Sequence, residues 1–269
     1  MNPAVKEFVR LLNDIDRSKH RSEVFADFCE MSYCALAKKA SPFPDQRETL
    51  EAQYMSVVAR YRNKDDVRKM PEMVGIALGE IGNGGCDFLG MAAGELEVLD
   101  AKLGQFFTPY EVSRMMAEIS LTDVDEKIAE QGFITVQEPA AGAGGMLLAV
   151  ADVIEGKGLN LETSIWIEAV ELSRPTYHMC YVQCAARGLA GKIICGNSLS
   201  LEVFTGAYTA AASVFFAANG DPFAKQKEQA KQAAAQEAKR EEQAESERKD
   251  RLATLGDGPV ISGQQLTLF

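Results

Sequence analysis

The sequence predicts an α/β protein: a helical N-terminal unit, a parallel sheet wrapped by helices, and a polar C-terminal arm. Three observations predict it. Apolar residues recur at helical spacing through the first hundred positions. After Phe133 short apolar runs alternate with amphipathic stretches, the rhythm of βαβ units. From residue 224 onward Ala, Gln, Glu, Lys and Arg displace almost every large apolar side chain.

In chain order, Val5, Phe8, Val9 and Leu12, then Phe25, Phe28, Cys29, Tyr33 and Leu36, mark two helices before Ala40. The 41-SPFPD-45 segment interrupts them, and further helices follow over 46–62 and 71–81, ahead of the 82-GNGG-85 break. In 103-LGQFFTPYEVSRMM-116, Thr108 is placed to cap a helix and Pro109 to occupy its first turn. Strands are expected at 133–138, 165–172, 192–197 and 212–219, with helices at 144–156 and 175–188 between them. Residues 224–252 read as a solvated single helix or a disordered arm. The expected organisation is a helical domain over 1–100, an α/β core over 101–223 and a polar tail over 224–269.

Charge narrows the function classes. With 28 basic and 39 acidic residues, net −11, the chain is not built to grip nucleic acid unaided by phosphate neutralisation. The densest basic cluster, Arg60, Arg62, Lys64, Arg68 and Lys69, also holds Asp65 and Asp66 and reads as a solvated helix end. Apolar runs such as 146-MLLAVA-151 are far too short to cross a bilayer, and the N-terminal residues carry acids where a signal peptide would not. A cytoplasmic protein is expected. The six cysteines form no C-x-x-C pair, and only His20 and His178 are available to join them, so reduced thiols and no metal site are expected.

The most informative segment is 137-QEPAAGAGGMLLAVAD-152, in which a strand ends in an acid and a glycine-rich turn enters a helix. Glycines let backbone approach a ligand, and the helix start presents unpaired N–H groups. The dinucleotide pattern G-x-G-x-x-G fails, because its third glycine would fall at Leu147. Glu138 suits an amine-bearing ligand better than a phosphate. Glu171, ending the next strand, is placed to accept hydrogen bonds from both hydroxyls of a ribose. A plain tight turn and an exposed strand-end carboxylate are the structural alternatives.

These segments together, L-G-Q-F-F-T-P, E-P-A-x-G-x-G-G-x-L, V-E and G-N-S-L in that order, resemble the adenine-N6 DNA methyltransferases found as modification subunits of type I restriction systems. The resemblance runs from 87-DFLG-90 to Leu199 and more weakly to Phe223; the helical N-terminal unit is similar less specifically. It implies a truncated Rossmann-like methyltransferase core and S-adenosylmethionine as cofactor. It implies that Gln105, Phe107, Thr108 and Pro109 shape the methionine end of that cofactor. Glu138, Gly142 and Gly144 would wall it, with Glu138 near its amino group, and Glu171 would hold the ribose. Asn197 stands where the family usually has Asp beside the adenine ring. The family's catalytic motif is degenerate here. In 218-ANGDPF-223, Asn219, Asp221, Pro222 and Phe223 are the candidates for contact with a flipped base, yet the pattern is not reproduced in either frame.

The implied activity is DNA adenine-N6 methylation, with sequence reading left to a partner specificity subunit. The alternative is a non-catalytic adaptor tethered to a DNA-bound partner such as the sliding clamp. For that docking, Gln265, Leu266, Leu268 and Phe269 resemble a clamp-binding peptide.

Overall fold

A computed structural model describes the backbone of residues 2–98 and 107–255 and the side chains through residue 247. Gln105 and the clamp-like residues Gln265, Leu266, Leu268 and Phe269 lie outside the described residues. Residues 1–220 form one compact unit and 221–269 a second.

The first unit opens with helices α1 (Pro3–Asn13), α2 (Arg21–Ala40), α3 (Pro44–Ala59), α4 (Lys64–Arg68), α5 (Met70–Asn83) and α6 (Phe88–Glu95). Phe8 sits at the centre of this group, edge-on to Phe25, Phe28 and Phe88. Next come α7 (Tyr110–Ser120), α8 (Val124–Gln131), β1 (Ile134–Glu138), α9 (Gly145–Gly156) and α10 (Leu161–Ser164). The unit closes with β2 (Ile165–Glu171), α11 (Arg174–Ala186), β3 (Gly191–Asn197), β4 (Glu202–Tyr208) and α12 (Ala211–Asn219).

The sheet order is β1-β2-β3-β4. β1, β2 and β3 are parallel, joined through α9 and α11, as the alternating rhythm predicts. β4 runs antiparallel to β3, with a bulge at Cys195/Gly196. The helix α9 buries Leu147, Leu148, Ala149, Val150, Ala151, Val153 and Ile154, apolar on nearly every side, because it is packed among α7, α10 and α11. The N-terminal helices dock on the core through α2 and α11: Tyr33 stacks on His178 and meets Tyr177 and Tyr181 edge-on, and the Tyr177 hydroxyl donates to that of Tyr33 at 3.0 Å.

Three expectations are corrected. Residues 212–219, expected as a strand, belong to α12. Ala211, Ala212 and Phe215 share its buried face at helical spacing, and Phe215 packs on Trp166 and Phe133. The fourth strand is instead 202–208, and the sheet is not wholly parallel. As an edge strand burying only Ala207, it lacks the apolar run that reveals its neighbours. Finally, Thr108 does not cap α7. The helix starts one residue later than expected, with Pro109 itself in the extended conformation at the N-cap position.

The second unit carries α13 (Ala224–Leu255). Its described side chains through residue 247 are exposed from Ala224 onward, in keeping with a solvated helix. Asp221 precedes it: its carboxylate accepts from the Phe223 N–H at 2.9 Å and pairs with Lys227 at 2.6 Å.

Candidate functional site

The glycine-rich turn is shaped by its neighbours. The Ala141 N–H donates to the Val170 carbonyl on β2 at 2.9 Å, and the Gly144 N–H closes the turn on the Ala141 carbonyl at 2.8 Å. Gly142 and Gly144 both have positive φ, 56° and 94°, where a side chain is strained. A Cβ on Gly142 would stand 3.3 Å from the Phe107 ring, and one on Gly144 would stand 3.2 Å from the Cys180 Sγ. Glycine is needed twice over, for conformation and for room.

A cavity of about 160 Å³ opens over this turn at the carboxyl end of β1. Phe107, Thr108 and Ser113 line it from the α7 side, Glu138 and residues 140–143 from the strand end and turn, Gly145 and Met146 from the start of α9, and Asp87 from the start of α6. The structure therefore brings together Phe107, Thr108, Glu138 and Gly142. Gly144 is buried in the turn beneath them, and Pro109 lines an adjoining hollow that shares Asp87, Phe107 and Thr108.

Glu171 meets the site from β2. Its Oε2 accepts from the Gly142 N–H at 2.9 Å, and its Oε1 accepts from the Ser173 N–H at 2.7 Å. Each carboxylate oxygen keeps a second lone pair for a hydroxyl. Asn197 uses its Oδ1 to fold the turn after β3, accepting from Leu199 and Ser200 N–H groups at 2.9 and 3.3 Å.

The target-contact candidates stand differently. The Asn219 amide donates to the Thr163 carbonyl at 2.8 Å, at the amino edge of the sheet, across from the cavity at the carboxyl edge. Within the first unit Asn219 is thus not brought to the cofactor candidates. Asp221, Pro222 and Phe223 belong to the second unit.

Two residues that the motifs did not single out complete the site. Asp87, quoted above only as the start of the resemblance, is 5% exposed and caps α6. Its Oδ1 accepts from the Gly90 N–H at 2.9 Å and from the Gln183 amide at 2.7 Å, and burial pushes its carboxyl above the ordinary range. An acid ahead of the apolar run 88-FLGMAA-93 was the available signal. Ser113, on the inner face of α7, is 1% exposed, and its hydroxyl has no hydrogen-bond partner among the described residues.

Asp152 on α9 fastens the surrounding elements. It accepts from the Gly85 N–H at 2.7 Å, takes a short hydrogen bond from the Tyr110 hydroxyl, and pairs with Arg187 on α11 at 3.0 Å.

The sequence profile of the family described as N-6 DNA Methylase matches residues 94–252, more than half of the chain. The chain belongs to the N-6 DNA methylase family. Two solved structures are similar at lower resemblance. One, from Listeria monocytogenes, is described as a class I S-adenosylmethionine-dependent methyltransferase, at 15% identity and TM-score 0.38, covering 71% of this chain and 52% of that one. The other is the type I restriction-modification system methyltransferase subunit from Streptococcus thermophilus, at 15% identity and TM-score 0.33, covering 69% and 55%. This methylase-family chain therefore spans about half the length of each. No curated protein sequence matches it.

Family membership implies S-adenosylmethionine, and the residues present fit that cofactor. A hydroxyl at Ser113 with no partner among the described residues, a turn where a Cβ is strained and crowded, and a set of carboxylates and hydroxyls suit a ligand bearing an ammonium group and ribose hydroxyls. No helix of the described residues is long and apolar enough to cross a membrane.

Proposed function

We propose that this protein binds S-adenosylmethionine over the glycine turn and takes part in methyl transfer to the N6 amine of adenine in DNA. The observation that carries the cofactor half is the cavity at the carboxyl end of β1, walled by Glu138 and Gly142 and lined by Ser113, whose buried hydroxyl has no partner among the described residues. When bound, the cofactor supplies an electrophilic methyl group on a sulfonium. The protein's part is orientation and electrostatics.

In this reading Phe107 packs against the turn and excludes water, while Thr108 and Pro109, with Gln105, shape the methionine end. Glu138 faces the amino group. Glu171 anchors the loop through Gly142 and receives the ribose hydroxyls with its remaining lone pairs, and Asn197 offers its amide N–H to the adenine ring. Gly144 permits the turn to pass beneath.

For the target, Asp221, Pro222 and Phe223 are the contacts we propose. Lys227 and the Phe223 N–H hold the Asp221 carboxyl below its ordinary range, so it is an acceptor at neutral pH. Asn219 is committed to Thr163 and is kept in the target set only if that bond opens. The acidic charge of the chain supports leaving DNA sequence recognition to a partner specificity subunit in this reading. No observation in the described residues favours the adaptor reading.

Calorimetry with S-adenosylmethionine tests the cofactor half: saturable heat is expected, and none at millimolar cofactor refutes it. Labelled-methyl transfer to mixed-sequence DNA, with and without co-purified partners, tests the rest. An Asp221→Ala variant is expected to lose transfer while keeping cofactor heat; transfer to DNA at undiminished rate would remove Asp221 from the target site.

A further inference from the structure

The cavity is lined by two polar groups whose needs the described residues leave unmet, and they are opposite in kind. Asp87 is a buried carboxylate. Both hydrogen bonds it receives from described residues go to Oδ1, from Gly90 and Gln183. Its Oδ2 faces the start of α9, 3.0 Å from where a Cβ on Gly145 would stand, and no described residue donates to it. A carboxylate taken out of water calls for a cation or further donors. Ser113 presents the complementary case: a hydroxyl, 1% exposed, with a proton to donate and no acceptor among the described residues. Both line the one cavity, Asp87 from the start of α6 and Ser113 from α7.

We propose that Asp87 and Ser113 together read the zwitterionic amino-acid end of the cofactor, with Asp87 Oδ2 accepting from one N–H of the ammonium whose others are left to Glu138, and the Ser113 hydroxyl donating to the carboxylate. This rests on the cofactor reading above. It assigns cofactor specificity to a residue that precedes the family-matched stretch, which starts at residue 94. The pair separates ligands by their amino-acid tail, since an adenosine thioether without that tail offers neither group.

The test is calorimetry of wild type, Asp87→Asn and Ser113→Ala with three ligands: S-adenosylhomocysteine, its decarboxylated analogue and 5′-methylthioadenosine. Asp87→Asn retains the oxygen that serves Gly90 and Gln183 and removes the charge. It is expected to weaken S-adenosylhomocysteine and the decarboxylated analogue by roughly tenfold to a hundredfold, the range for a hydrogen bond to a charged group. Binding of 5′-methylthioadenosine should stay within about twofold, because it lacks the ammonium. Ser113→Ala should weaken only the carboxylated ligand, by roughly tenfold or less.

Equal losses across all three ligands would show that Asp87 merely holds the fold and would overturn the assignment; so would no loss at all. Ser113→Ala makes no structural hydrogen bond to lose, so it decides the matter if Asp87→Asn does not fold: unchanged affinity for the carboxylated ligand overturns the pairing. Wild-type protein that binds none of the three refutes the cofactor reading itself, a distinct result.

Discussion

Replacing Gly142 by alanine separates a turn that only changes direction from one that carries a ligand. At φ 56° the new Cβ incurs the left-handed penalty of roughly 1–2 kcal/mol. Gly158, at φ 75° with open space where a Cβ would stand, incurs the same penalty and nothing else, which makes Gly158→Ala the matched control. At Gly142 the methyl also meets the Phe107 ring at 3.3 Å, and the loop that donates to Glu171 at 2.9 Å must shift. Urea unfolding should therefore show a loss of about 1–2 kcal/mol for Gly158→Ala and at least as much for Gly142→Ala. Cofactor titration should separate them fully: weakening that bond to a carboxylate and pushing the ring into the cavity should reduce affinity tenfold or more for Gly142→Ala, about 1.4 kcal/mol, and leave Gly158→Ala at wild type. Equal affinities in the two variants would refute the claim that the turn contacts the cofactor.

Other predictions follow from the packing. His178 is buried against Tyr33 and, through desolvation and then Arg174, is held down to about 3. Its native form is neutral, so the unfolded chain takes up the extra proton; stability is full above about pH 6.5 and falls as pH drops toward 3, by roughly 3–5 kcal/mol in all. His178→Phe should keep the stack and flatten that limb in pH-dependent urea melts; an unchanged acid limb would contradict it. Asp152→Ala removes the acceptor shared by Gly85, Tyr110 and Arg187 and should cost about 2–4 kcal/mol in chemical unfolding. Phe215→Ala, emptying the contact with Trp166 and Phe133, should cost about 3–5 kcal/mol, and a loss below 1 kcal/mol would argue against the packing of α12 on these rings.

What could be seen in the sequence was what the chain encodes over short distances. Strands β1, β2 and β3 announce themselves as apolar runs between breakers, and Glu138, Gly142 and Gly144 lie within a single turn. α12 and β4 were harder, since 212-ASVFFAAN-219 has the apolar density of a strand and reveals its helical face only once Phe215 finds Trp166. The sequence marks Asp87 as a helix cap, but the place of Asp87 and Ser113 in the site was hidden for a different reason. The hydrogen bond from Gln183 to Asp87 spans 96 positions, and the hydroxyl of Ser113 becomes an orphan only when α7 packs on α9. Sequence spacing carries no trace of such encounters.

One amide ties these distant parts into a single object. The Gln183 side chain on α11 donates both to the Ala143 carbonyl in the turn, at 2.8 Å, and to Asp87, while its own oxygen receives the Leu89 N–H at 3.0 Å. Whatever occupies the hollow must then report on whether the N-terminal helices are seated, and seating them must sharpen affinity in equal measure. A fragment cut to the recognisable methylase stretch at residue 94 would keep every motif and forfeit Asp87, one wall of the hollow those motifs serve.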